Sequence, residues 1–346
     1  MKIIDMRSDT ITLPTEEMRR AMYEAELGDD VFGEDPTINR LEELSAQVMG
    51  KEAALFTPSG TMTNLIAILT HTRPGNEVIL GSESHIFWYE VGGASALGGV
   101  MLRTVPNDED GRLDPGAVEQ AIRGKNIHFP VTTLLCLENT HNRCGGAVLT
   151  PEYTTEVSDL AHGHGIQVHL DGARIFNAAV ALNIPVSELV KPVDSVCFCI
   201  SKGLSAPVGS LICGSQEFVQ RARKWRKMLG GGMRQVGVLA AAGIVAVQKM
   251  VDRLAEDHAN AQRLAQGLAR IPNVIVHPEK VKTNIVNYEF TSAVSGADFL
   301  QQLAAEEVKF LHRGGQEVRA VTNRMVSAAD VDEALVRMER LMSKLN

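Results

Sequence analysis

Residues 194–207 read DSVCFCISKGLSAP. Residues 196–200 are apolar, short and partly β-branched, which predicts a buried strand. The run stops at Ser201 and Lys202, and small residues follow. A lysine in that position sheds hydration, which disfavours its ammonium form. A partly dry amine is nucleophilic near neutral pH and forms an imine with a carbonyl. An ordinary surface lysine just past a strand has the same local sequence. Asp171 ends a second apolar run, VHLD, 31 residues before Lys202, about one β-α-β unit away. Gly172 and Ala173 follow it and leave room in a crevice. An acid there either caps the next turn or faces a ligand cation.

Amine and acid together suit pyridoxal phosphate, whose pyridine nitrogen needs a carboxylate partner to stay protonated and draw electrons from a carbanion. Residues 57–61, TPSGT, precede a helix, and glycine at a helix N-terminus admits a phosphate to free N–H groups. The same turn also suits an ordinary helix start. It lacks Walker spacing, and no G-x-G-x-x-G follows a strand in the N-terminal part, so a nucleotide fits less well. His85, after the run EVILGS, can stack on an aromatic cofactor, shuttle a proton or simply serve as a loop histidine. His128, in NIHFP, reads similarly. His162 and His164 lack a third ligand and read as solvated or capping. Residues 221–227, RARKWRK, read mostly as the polar face of a helix. In GGGMRQ (230–235) three glycines precede Arg234, whose guanidinium can bind phosphate bidentately.

The elements that must hold these groups alternate. Helices are predicted at 36–50, from about 61, at 153–165 and at 217–228. Strands are predicted at 77–82, 132–139, 166–174, 196–200 and 208–215. Residues 92–99, GGASALGG, read as a small-residue helix or turn, and 238–247 as a buried helix. Polar groups gather at strand ends. This is the habit of an open, mostly parallel α/β sheet, which binds ligands at the carboxyl ends of its strands. From about residue 250 the pattern changes to a long charged helix (251–271), strands at 283–290 and 308–312, and a closing helix (329–345). The expected organisation is a large domain over 1–250, with the N-terminal segment, and a smaller α+β domain over 251–346.

The chain has 346 residues, 45% hydrophobic and 22% charged, with a formal net charge of −8. That composition is ordinary for a globular protein, and the lack of a basic block argues against nucleic acid. No apolar run is long enough to span a bilayer, and MKIIDMRSDT does not resemble a signal peptide. Five cysteines without a C-x-x-C pair read as buried reduced thiols, which points to the cytoplasm.

Taken together, RSDT (7–10), GDDVFGEDPT (28–37), TPSGT, LENTHN (137–142), HLDGAR (169–174), SKGLSAPVGS (201–210) and GGGMRQ resemble the low-specificity L-threonine aldolases. These are pyridoxal-phosphate enzymes of the aspartate aminotransferase fold (fold type I). The resemblance is dense to about residue 260 and thinner beyond. It implies retro-aldol cleavage of L-threonine or L-allo-threonine to glycine and acetaldehyde, within threonine breakdown and glycine supply. It implies that Lys202 holds the cofactor covalently, that Asp171 pairs with its ring nitrogen, and that Gly60 and Thr61 bind its phosphate. Arg234 is implied to reach that phosphate from a neighbouring subunit of a homotetramer. His85 is implied to stack on the ring, and Ser8, Arg174 and Arg319 to hold the substrate carboxylate, with Arg174 also near the cofactor. His128 matches a second histidine near the substrate hydroxyl, so His85, His128 or a water is the expected base. No metal is expected. Phe32, Asn323 and Ser205 depart from the family's usual tyrosine, histidine and glycine. A serine hydroxymethyltransferase-like enzyme or another lyase of the same fold is the alternative. A non-catalytic pyridoxal-phosphate regulator would need a DNA-binding domain, for which no segment is expected ahead of RSDT.

Overall fold

The computed structural model describes residues 2–345. Its thirteen strands are β1 (Ile4–Asp5), β2 (Ala53–Thr57), β3 (Glu77–Gly81), β4 (Met101–Val105), β5 (Thr132–Glu138), β6 (Gln167–Asp171), β7 (Ser195–Cys199), β8 (Ser210–Gly214), β9 (Val274–Val276), β10 (Ile285–Phe290), β11 (Val308–Lys309), β12 (Leu311–Gly314) and β13 (Glu317–Val321). Seven form the central sheet in the order β2-β8-β7-β6-β5-β3-β4. All its pairings are parallel except the two made by β8, so one reversed strand lies among six that run together. Strands covered on both faces are apolar throughout, and β3, β7 and β8 are buried at every position. Edge strand β4, MLRTV, is largely exposed, and its mixed composition hid it from the sequence reading.

Helices pack on both faces of this sheet, and their ends follow local chemistry. Asp35 caps the helix Pro36–Met49, and Gly50 ends it in the left-handed region at φ 63°. Ser59 caps the helix Gly60–His71 through the Met62 amide, which starts it one residue earlier than the expected Thr61. The apolar stretch 238–247 lies in the buried helix Gly237–Lys249.

The C-terminal layer is an antiparallel sheet, β12-β13-β10-β9, backed by the helices Leu254–Leu268, Gly296–Ala305 and Ala328–Leu345. Ile4 and Met6 bury themselves in its core, and β1 pairs with β11. The single strand expected at 308–312 divides there. Phe310 turns inward, edge-on to Tyr288, so Val308–Lys309 serves one sheet and Leu311–Gly314 the other.

Candidate active site

Six parallel strands deliver their carboxyl ends to one edge of the sheet, and the chemistry-bearing residues gather there. Asp171 is the last residue of β6 and is almost wholly buried. Its Oδ2 accepts from Asn64 Nδ2 at 2.9 Å and its Oδ1 from the Ala173 amide at 3.1 Å. Burial alone would raise its pKa, yet His85, Lys202 and these donors hold it below the usual carboxylate range. Lys202 follows β7, the neighbouring strand, and is half-buried. Its ammonium is close enough to lower the pKa of Asp171 and of Asp9. The Thr12 hydroxyl donates to its carbonyl at 2.8 Å, fixing the backbone that carries the amine.

His85 follows β3. Its backbone N–H donates to Glu138 Oε2 at 2.7 Å, and its Nδ1 lies 2.9 Å from Glu90 Oε1. Burial disfavours the imidazolium, but Glu90, Asp171 and Glu138 outweigh it and raise the pKa above its ordinary value. Nε2 is the nitrogen left for the crevice. Glu138, at the end of β5, also accepts from the Asn142 amide at 2.8 Å. Asn142 Oδ1 in turn accepts from Arg319 Nη1 at 2.7 Å. Burial, then the neighbouring Arg174, lower the Arg319 pKa to about 10, so it stays cationic at neutral pH. Its Nε is buried without a hydrogen-bond partner.

Arg174 makes a buried bidentate pair with Asp9, Nε to Oδ2 at 2.8 Å and Nη2 to Oδ1 at 2.7 Å. Burial would raise the Asp9 pKa, but Arg174 pulls it down to about 2. Ser8 accepts from Thr10 N–H at 3.2 Å, capping a short turn and leaving its own proton to donate. Ser8, Arg174 and Arg319 thus supply hydroxyl and guanidinium donors near one another, as a carboxylate requires.

Gly60 and Thr61 open their helix, where amides have no intrahelical acceptor. A Cβ on Gly60 would meet Cys199 Sγ at 2.9 Å. These residues fit pyridoxal phosphate. Free amides suit its phosphate, the buried Asp171 carboxylate suits its ring cation, Lys202 suits its aldehyde, and an orphaned guanidinium N–H awaits an anion.

Some expected residues lie apart from this crevice within one chain. His128 is exposed in the loop that leads into β5, at the opposite end of that strand from Glu138. Arg234 is exposed and pairs with Asp29 at 3.0 Å. Phe32 is 73% exposed at a turn anchored by the buried pair Asp30–Arg226, 2.6 Å. Arg226 belongs to the stretch read as a polar helix face, so that reading misses its burial. Asn323 is fully buried and serves the backbone, donating to Val321 O and accepting from Met325 N. Ser205 adopts φ +65°, the conformation that favours glycine, and its hydroxyl accepts from Arg324 Nε at 3.3 Å. His162 pairs with Asp194 at 2.9 Å. All five cysteines are unpaired thiols, four of them buried.

Sequence reasoning overlooks Asp9, Asn64, Glu90, Glu138 and Asn142. Glu138 carries the same signal as Asp171, an acid that ends an apolar strand. Asn64 and Glu90 give no local signal, because their partners come from elements far away in sequence.

A sequence profile of the beta-eliminating lyases matches residues 5–291. The chain is 48% identical over 346 residues to a probable low-specificity L-threonine aldolase 2 of Arabidopsis thaliana, covering 99% of this chain and 98% of that protein. It is 47% identical over 266 residues to the low-specificity L-threonine aldolase of Escherichia coli, covering 77% of this chain and 79% of that one. Among solved structures, Leishmania major threonine aldolase superposes with a TM-score of 0.83 at 20% identity, over 98% of this chain and 99% of that one. A putative L-allo-threonine aldolase of Listeria monocytogenes superposes with 0.79 at 22%, over 95% and 92%. At such identities the two structures show the fold alone.

Proposed function

The chain belongs to the low-specificity L-threonine aldolases, within the beta-eliminating lyases, and from that premise we propose that it cleaves L-threonine and L-allo-threonine to glycine and acetaldehyde. The cofactor is pyridoxal 5′-phosphate. The observation that carries the reading is the buried Asp171 carboxylate one strand from the Lys202 amine, at the sheet edge where the Gly60 helix begins. When bound, the cofactor supplies a cationic ring that accepts the electrons of the breaking Cα–Cβ bond.

The chain's own residues do the rest. Lys202 would hold the cofactor, and Asp171, held below the usual carboxylate range, would keep the ring nitrogen protonated. Gly60 and Thr61 amides hold the phosphate. Arg319, Arg174 and Ser8 grip the substrate carboxylate. That grip would fix the rotation of the substrate and so select which bond to Cα breaks. His85, its Nδ1 tied to Glu90, would leave Nε2 to receive the β-hydroxyl proton. Against the effect of burial, the Glu90 hydrogen bond and the nearby Asp171 and Glu138 carboxylates raise its pKa and so increase its affinity for a proton.

His128 and Arg234 act in this reading on the site of a second copy, in a homotetramer. The exposure of both, and of Phe32, Ile127 and Met228, supports an assembly that covers them. No helix among the described residues is long and apolar enough to cross a membrane, and four buried reduced thiols support the cytoplasm.

The deciding experiment measures glycine formation from L-threonine, L-allo-threonine and L-phenylserine, with and without tetrahydrofolate. Folate-independent cleavage is expected. The Lys202→Ala variant is expected to lose the visible cofactor absorbance and nearly all turnover, and a variant that keeps both removes the assignment. His85→Phe keeps a ring over the cofactor; unchanged turnover there excludes His85 as the base.

A further inference from the structure

Behind Asp171 a line of hydrogen bonds runs through the interior of the central sheet. Asn64 Nδ2 lies 2.7 Å from Glu90 Oε1 and 2.9 Å from Asp171 Oδ2. Its Oδ1 lies 3.1 Å from His169 Nε2 and 3.2 Å from Cys197 Sγ. His169 Nδ1 is 2.9 Å from Ser195 Oγ, which is 2.8 Å from His71 Nε2. Asn64, His169, Ser195 and Cys197 are all buried.

Chemistry fixes the direction of every bond. An amide turned the other way would aim oxygen lone pairs at two carboxylates. Asn64 therefore donates both amide protons to Glu90 and Asp171, and its oxygen accepts twice, so all four of its bonds are made. His169 must then carry its proton on Nε2 and accept at Nδ1 from Ser195. Ser195 has one proton and spends it there, so its oxygen accepts from His71 Nε2–H. The scheme needs both histidines neutral. Burial pushes His169 down to about 4 and His71 to about 3. Cys136 on β5 and Cys197 on β7, which also face the two carboxylates, are held as thiols by burial. Burial and the neighbouring Asp171 raise the Glu90 pKa, against the hydrogen bonds from His85 and Asn64 that lower it. The remaining charges that act on Asp171 are His85 and Lys202, and those near His71 are Asp194 and Arg221.

We propose that Asn64 is a positioning residue for the cleavage reaction, oriented by His169, which bridges the Asp171 and Glu90 carboxyl groups with one shared donor and so sets the grip on the ring cation and the basicity of His85. Two buried acids so close repel, and a donor shared between them eases that repulsion. The Asn64 amide is that donor. His169 keeps it from rotating, and Ser195 and His71 keep His169 in the required tautomer. This rests on the cofactor assignment above but not on the choice of substrate.

Nitrogen-15 NMR of histidine-labelled protein, with and without cofactor, is expected to show His169 neutral with its proton on Nε2 from pH 6 to 8. A proton on Nδ1, or an imidazolium at pH 7, overturns the proposal, and this measurement needs no variant. Two substitutions add a functional arm. His169→Gln retains an N–H toward Asn64, whereas His169→Phe retains the ring volume without a donor. Pyridoxal phosphate binding to the apo-protein is then titrated against pH. His169→Phe is expected to bind about tenfold more weakly, with the acid limb about one pH unit higher, the scale of one hydrogen bond to a charged group. His169→Gln is expected to stay close to the parent. Equal binding by the two variants, or better binding by His169→Phe, means that His169 only fills space and sinks the proposal. Failure to cleave threonine alongside the expected tautomer and binding results would instead remove the substrate reading alone.

Discussion

Removing the charge of Asp9 tests the site's deepest ion pair. Asp9 is fully buried and Arg174 nearly so, and they share two hydrogen bonds. The Asp9 pKa falls from 3.8 to about 2. A depressed carboxylate pKa gives stability that is fully present above the unfolded value and is lost as pH falls through the folded one. The linkage amounts to about 2 kcal/mol at pH 5 and about half of that at pH 3. Asp9→Asn keeps the shape and removes the charge, leaving the Arg174 guanidinium uncompensated beside Arg319. Losing one partner of such a pair costs about 3–5 kcal/mol. Urea denaturation followed by tryptophan fluorescence is expected to show this deficit at pH 5 and a smaller one at pH 3. A second arm combines the substitution with Arg174→Met. The double variant is expected to be more stable than Asp9→Asn alone, because no buried charge is left over. A deficit that does not change with pH, together with a double variant equal to the sum of the singles, refutes the reasoning.

Other outcomes follow from single contacts. In an Arg324→Met background, where the Ser205 hydroxyl has lost its donor, Ser205→Gly is expected to raise stability by about 1 kcal/mol by relieving the left-handed backbone, measured by denaturant midpoint. Gly60→Ala places a methyl against Cys199, and is expected to weaken cofactor binding about tenfold, with recovery when Cys199→Ala is added. His71, His169 and His258 are held neutral with pKa values lowered to about 3, 4 and 4. Their unfolded forms protonate first, so stability is expected to be full above about pH 6.5 and to fall steadily toward pH 4 in chemical denaturation. His169→Gln is expected to flatten that slope.

The sheet was legible because its inner strands are short apolar runs that stop at polar residues. Runs such as VILG, LLCLE and VHLD have one reading whatever they pack against. Edge strand β4 was not legible, since its exposed residues give no periodicity, nor was the division at Phe310, which depends on packing against Tyr288. Lys202 and Asp171 announced themselves by type and place. Asn64 did not, because an asparagine inside a helix has no local signature and its role arises from residues between 26 and 133 positions away. Ser205 was legible as an oddity, and its positive φ gives the oddity a backbone meaning.

One reversed strand governs how the amine is tethered. In an otherwise parallel sheet a strand ordinarily hands its chain to a crossover helix that departs across one face. Because β8 runs backward beside β7, residues 200–209 instead return at once, as an arch whose two feet stand one strand spacing apart, about 5 Å. Lys202 rides on that arch, anchored on both sides. The neighbouring strand β2 lies beyond β8, and the helix that follows it starts against the feet of the arch: a Cβ on Gly60 would meet Cys199 Sγ at 2.9 Å and Ser210 Oγ at 3.6 Å. The covalent anchor and the anion cradle are thus neighbours because the reversed strand sits between β7 and β2, and their closeness is a property of strand order.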